Sequence, residues 1–142
     1  ENVISMHAEA QRIADEFFER DYPLMCRLVT AEGGNCPKEE QCFIANVAEN
    51  RQKYPGSTYP NTLYEVVYQH NSKGEYQYAV VPSGAINMTP YPSVCKNMEE
   101  YMRGRIETGM PDNVVFQAKF PQGSQKNNPW RVMESGHWFC YM

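Results

Sequence analysis

The stretch Leu24-Met25-Cys26-Arg27-Leu28-Val29-Thr30-Ala31-Glu32-Gly33-Gly34 reads as an apolar helix that ends on a carboxylate and two glycines. Leu24, Leu28 and Glu32 fall at i, i+4 and i+8, and Val29 stands three before Glu32, so the carboxylate extends the apolar stripe. Gly33 or Gly34 can take the left-handed conformation that stops a helix. A carboxyl group so placed is pushed towards its protonated form twice, by partial burial and by the negative end of the helix dipole. Both raise its pKa, which suits a general acid working near neutral pH. The same spacing also fits a glutamate just past the last buried turn that faces water.

The elements around this stretch follow from local chemistry. Residues 3–20 form a first helix, with Ile4, Ile13, Phe17 and Phe18 on its apolar side. Asp21-Tyr22-Pro23 is expected to break it, with Asp21 capping the next helix and Pro23 in its first turn. A further helix runs from about Pro37 to Tyr54 and buries Phe43, Ile44 and Val47. Asn50 and Arg51 follow at helical spacing on the inward side and read as structural, Arg51 paired to an internal carboxylate or carbonyl. Asn61 caps a short helix through Val67, and Tyr76–Val81 has the composition of a strand. Residues 82–95 read as loop. Asn97 caps a helix from Met98 to about Thr108, closed by Gly109. Val114–Phe120 reads as a second strand, 121–129 as a polar loop, and Trp130–Met142 as a mixed aromatic segment. The expected class is α+β, mainly helical with a small β part.

Composition limits the options. A chain of 142 residues suits one domain, and 42% hydrophobic with 13% aromatic residues is enough for a packed core. The net charge of −4 and the lack of basic runs give no grip on nucleic acid. No apolar stretch approaches the ~18 residues a membrane span needs. The chain opens at Glu1 without a methionine, as a mature form or fragment does, so any signal peptide or anchor is expected outside it. Five cysteines and three histidines are present, but no CxxC pair occurs, so neither a zinc site nor another cofactor is signalled. Cys36 and Cys42 are spaced for a short-loop disulfide. The cysteine usage leans towards an extracytoplasmic setting.

The run Leu28-Val29-Thr30-Ala31-Glu32-Gly33-Gly34 is followed by Ile44-Ala45-Asn46-Val47-Ala48-Glu49-Asn50-Arg51, then by Tyr59-Pro60-Asn61-Thr62-Leu63 and Val66-Val67-Tyr68-Gln69. Tyr76-Gln77-Tyr78, Val115-Phe116-Gln117 and Gly136-His137-Trp138-Phe139 come next in order. Together these segments resemble the SleB/CwlJ-type cell-wall hydrolases of spore-cortex lysis. The resemblance covers about residues 22–142, with 1–21 as an added N-terminal helix in a single catalytic domain. The pattern departs from the family at Ala79, where a serine is usual, and at Gln117-Ala118, where histidine-asparagine is usual.

The resemblance implies a lysozyme-like fold and cleavage of peptidoglycan glycan strands outside the cytoplasm, with no cofactor. It places the family's essential glutamate on Glu32. Gln77 and Tyr78 are then expected to bind sugar, as are Tyr68 and Gln69 more weakly, and His137 and Trp138 could line the cleft. A monomer is expected. One-carboxylate chemistry favours a lytic transglycosylase; the alternatives are a hydrolytic muramidase or glucosaminidase, a non-catalytic glycan-binding domain, and a cysteine enzyme using Cys26 or Cys140 with His137. Glu49, Glu65, Glu75 and Asp112 are the candidates for a second carboxylate.

Overall fold

A computed structural model describes residues 2–56, 58–120 and 128–142. The elements are α1 (Asn2–Gly33), α2 (Lys38–Lys53), α3 (Leu63–Val67), a 3-10 turn (Ala85–Asn87), α4 (Pro92–Met102), β1 (Val114–Ala118), β2 (Pro129–Val132) and β3 (Trp138–Tyr141).

The expected break at Asp21-Tyr22-Pro23 does not occur: α1 is one helix of 32 residues with Pro23 inside it. Proline has no N–H for the carbonyl of Glu19, a loss of about 3 kcal/mol in a helix interior. Tertiary contacts hold the turn together. Tyr22 Oη donates to the Cys95 carbonyl at 3.0 Å, Phe18 stacks on Tyr22 at 4.6 Å, and Arg103 lies over the Phe18 ring at 3.9 Å. After the proline, Leu24, Met25, Cys26, Leu28 and Val29 are buried, as their periodicity requires. Before it, Ile4, Ile13 and Phe17 are exposed, so the apolar side expected for residues 3–20 is not covered.

The end of α1 also differs from expectation. Neither Gly33 nor Gly34 has a positive φ. Gly34 N–H bonds the Thr30 carbonyl at 3.0 Å and Cys36 N–H bonds that of Gly33 at 3.0 Å. The glycines are there for close approach. A Cβ on Gly33 would meet Ile44 Cδ1 at 2.5 Å, and one on Gly34 would meet the Thr30 carbonyl and the Tyr91 ring, each at 2.7 Å.

Helix α2 is the core element. Phe43, Ile44 and Val47 are fully buried, and Phe43 meets Trp130 and Phe139 edge-on at 5.0 and 5.6 Å. Its buried polar residues bind the rest of the fold. Gln41 Nε2 donates to the carbonyls of Gly33, Gly34 and Cys36 at 3.3, 3.4 and 3.0 Å, adding side-chain partners to the backbone bonds that close the C-terminus of α1. Asn50 Nδ2 donates to the carbonyls of Pro111 and Val114, and Arg51 Nε to that of Val115 at 2.7 Å. Arg51 thus has the internal carbonyl partner its inward position calls for.

Three smaller expectations are corrected. Thr62, not Asn61, caps α3: its Oγ1 accepts from Glu65 N–H at 3.2 Å and donates to Glu65 Oε1 at 2.8 Å. Residues 76–81 are not a strand. A single bridge joins His70 and Tyr76, and Tyr78–Gly84 closes on itself through turns such as Val81 N–H to the Tyr78 carbonyl at 3.1 Å. Helix α4 starts six residues early, with Pro92 in the first turn, and ends before Gly104, whose φ is +77°. Asn97 is inside it and gives its amide to Gln41 Oε1 at 2.9 Å.

The sheet is antiparallel in the order β1-β3-β2. The mixed aromatic segment Trp130–Met142 holds the β2–β3 hairpin except for Pro129, which opens β2 instead of ending the expected polar loop at 121–129; residues 121–127 of that loop lie outside the described residues.

Candidate active site

Three elements converge on Glu32. Helix α1 carries it in its last turn, half-buried. Strand β1 brings Gln117, whose Nε2 donates to Glu32 Oε2 at 3.4 Å. Asn50 and Arg51 of α2 fix the strand by its Val114 and Val115 carbonyls, three and two residues before Gln117.

A cavity of about 220 Å³ lies on one side of Glu32, with Arg51, Gln77, Tyr78, Gln117 and Lys119 in its wall. A second, of about 260 Å³, lies on the other side against Thr30, Gly34, Cys36, Met88 and Tyr91. Glu32 and Lys119 border both, so the carboxylate sits between two halves of a cleft. Glu32 is the only carboxylate lining either half among the described residues.

Burial pushes the pKa of Glu32 above the ordinary carboxylate value. Arg51, the Gln117 hydrogen bond and Lys119 oppose that rise and leave a net upward shift. The position at the end of α1 adds the repulsion of the helix dipole. Glu32 therefore holds a proton more readily than a free glutamate and has cations at hand when it loses it.

The cleft wall is polar and under-satisfied. Arg51 Nη1, Tyr78 Oη and Gln117 Oε1 are buried without a hydrogen-bond partner among the described residues, and all three residues line the Glu32 cavity. Arg51 lies over the rings of Tyr78 and Tyr59 at 4.9 and 5.4 Å, which fixes its guanidinium. Buried polar atoms are nearly always paired, so three orphans on residues that line one cavity mark a polar stretch of its wall.

Of the residues expected to bind sugar, the fold brings Gln77 and Tyr78 to Glu32. Gln77 is exposed; Tyr78 is buried, and burial pushes its phenol up. Tyr68 and Gln69 do not line the two halves of the cleft: Tyr68 packs on Tyr64 at 4.7 Å, and Gln69 Nε2 donates to the Thr58 carbonyl at 2.9 Å while its main-chain carbonyl accepts from Gln77 N–H at 3.1 Å. His137 is buried, with Nδ1 on Glu40 Oε2, and Trp138 pairs with Ala118 and Val132 in the sheet. Neither lines the two halves of the cleft. The sequence reading did not single out Gln117 or Lys119 for the site. The signal for Gln117 was its place on a strand after two buried valines.

The four candidates for a second carboxylate do not line the cleft. Glu49 accepts from Tyr101 Oη, Glu65 from the capping Thr62 Oγ1, Glu75 accepts from Asn71, and Asp112 is exposed. All five cysteines are free thiols, so Cys36 and Cys42 are not joined. Cys26 is buried beside Cys95 and Tyr22, with its thiol pushed up to about 12 by burial, which removes it as a ready nucleophile.

Residues 35–139 match the sequence profile of the Cell Wall Hydrolase family. The chain belongs to this family. The matched span begins three residues after Glu32. Among solved structures, the catalytic domain of the germination-specific lytic transglycosylase SleB from Bacillus anthracis aligns with a TM-score of 0.62 at 24% identity, over 84% of this chain and 93% of that one. The α+β fold expected from the sequence is the one these two chains share. No curated protein matches the chain. Family membership agrees with the resemblance in the ordered segments from Ile44 to Phe139.

Proposed function

We propose that this cell wall hydrolase is a peptidoglycan lytic transglycosylase with Glu32 as its single acid and base. The bond cleaved is the β-1,4 link between N-acetylmuramic acid and N-acetylglucosamine. Protonated Glu32 gives its proton to the bridging oxygen as the bond to C1 breaks, and C1 becomes oxocarbenium-like. Ionised Glu32 then takes the proton of the muramic acid's own C6 hydroxyl as that oxygen closes on C1, leaving a 1,6-anhydro end. Arg51, Gln117 and Lys119 stabilise the ionised carboxylate between the two transfers. Gln77, Tyr78 and Gln117 offer hydrogen bonds to sugar hydroxyls and acetamido groups. Tyr68, Gln69, His137 and Trp138 support the fold around the cleft and do not bind the sugars. The enzyme works as a monomer outside the cytoplasmic membrane, on the wall.

The observation that carries this reading is a lone carboxylate with a raised pKa between two halves of one cleft. It supports the transglycosylase over hydrolysis, which uses a second carboxylate about 5–9.5 Å away. The likeness to a lytic transglycosylase domain supports the same choice. Glu32→Gln keeps the shape but has no proton to give. It is expected to lower release of soluble fragments from purified peptidoglycan by about 10²–10⁴-fold. Near wild-type release would overturn the assignment. Tight retention on walls with no fragments from the wild type would favour a non-catalytic glycan-binding domain.

A further inference from the structure

Behind the second half of the cleft, Cys36, Glu40 and His137 bring one ligand atom each to a common point, all within 4.8 Å of one another. Cys36 is in the loop after α1, Glu40 in the first turn of α2, and His137 at the turn before β3. His137 Nδ1 lies 3.9 Å from Cys36 Sγ and hydrogen-bonds Glu40 Oε2, which also accepts from Ser135 Oγ at 2.5 Å. Glu40 and His137 are buried, while Cys36 is half-buried and borders the cavity. Sequence spacing hides this group, because 101 residues separate Cys36 from His137.

We propose that Cys36, Glu40 and His137 form a site for a divalent d-block cation, Zn2+ foremost. Sulfur, imidazole nitrogen and carboxylate oxygen are the donors Zn2+ takes, whereas Ca2+ and Mg2+ take oxygen alone. With bonds of about 2.0–2.3 Å, tetrahedral ligands stand about 3.3–3.7 Å apart. The Cys36–His137 separation is already close to that, and the Glu40–His137 contact needs to open. One cation would satisfy three convergent lone pairs that protons satisfy only in pairs. On binding, the Cys36 thiol proton passes to solvent, and the proton that His137 Nδ1 shares with Glu40 leaves that pair, to Nε2 of the same ring or to solvent, so that both atoms present lone pairs to the cation. The three protein ligands leave a fourth position for Ser135 Oγ or water. The bordering cavity gives an ion a route in through Cys36. The metal would tie the loop at 34–37 to the β2–β3 turn and so brace the wall beside Glu32. This site stands independently of the chemistry proposed for Glu32.

The test is titration of the metal-stripped full chain with Co2+. The expected result is one equivalent bound, with a thiolate-to-cobalt charge-transfer band that Zn2+ displaces. Cys36→Ser removes the band and Cys42→Ser keeps it. Outer-shell changes alone shift metal affinity about 10–100-fold, so Glu40→Gln is expected to weaken Co2+ by more than about tenfold. A second readout needs no variant: equimolar Zn2+ is expected to block alkylation of Cys36, located by peptide mass, and to raise the melting temperature. No thiolate band, a band that survives in Cys36→Ser, or unchanged alkylation of Cys36 would overturn the site.

Discussion

The Gln117 amide donates to Glu32 Oε2 at 3.4 Å across 85 residues of sequence, and this bond favours the ionised carboxylate. Gln117→Leu removes it and leaves burial opposed only by Arg51 and Lys119. The pKa of Glu32 then rises further. An acid with a higher pKa stays protonated to higher pH, so the alkaline limb of kcat/KM is expected to move up. Lys119→Met is expected to move it in the same direction, and less so at high salt, because Lys119 is exposed. A pH–rate profile of each variant checks this; a downward shift would contradict the placement.

Gln41 closes the helix end that presents Glu32. Gln41→Leu leaves the Gly33, Gly34 and Cys36 carbonyls and the Asn97 amide without their shared partner. Buried groups left unpaired cost about 1–3 kcal/mol, so denaturant midpoints are expected to fall accordingly. Activity is expected to drop more than the unfolded fraction explains, because the last turn of α1 loosens.

The two glycines after Glu32 separate by what crowds them. A Cβ on Gly34 meets a backbone carbonyl and an aromatic ring, while one on Gly33 meets the tip of the Ile44 side chain. Gly34→Ala is therefore expected to cost about 1–3 kcal/mol and Gly33→Ala less, by thermal melts of the two variants. Equal costs would mean that the Ile44 tip is as immobile as the backbone.

Glu32 was legible because one helix ends in a single polar residue on an apolar stripe and because the resemblance places the family's essential glutamate at that position; spacing alone fits a glutamate facing water as well. Asn50 and Arg51 were legible for a related reason: they continue the buried side of α2. The break at Pro23 was misjudged because local propensity was overruled by Tyr22, Phe18 and Arg103 across the turn. Tyr76–Val81 had strand composition but no neighbouring strand to pair with, and its backbone closed on itself. Gln41, Gln117 and the Cys36–Glu40–His137 group depend on partners distant in sequence, which spacing cannot supply.

Glu49 is a half-buried carboxylate whose pKa is raised by desolvation, against the pull of Tyr101 and Lys53. A carboxyl group with a raised folded pKa stabilises fully below its unfolded value of about 4.3 and loses that contribution as pH rises through the folded value. Glu32 has the same sign. Glu49→Gln keeps an acceptor for Tyr101 and removes the half-buried charge. Stability measured by denaturant from about pH 5 to about pH 8 is expected to decline less in the variant than in the wild type. A steeper decline would contradict the sign.

The central claim is that one carboxylate both breaks the glycosidic bond and closes the ring. Mass spectrometry of the fragments from defined peptidoglycan measures this directly. The expected product ends in 1,6-anhydro-muramic acid, one water lighter than a reducing end, and Glu32→Gln yields none. Reducing ends from the wild type, or anhydro ends from Glu32→Gln at the wild-type rate, would contradict it.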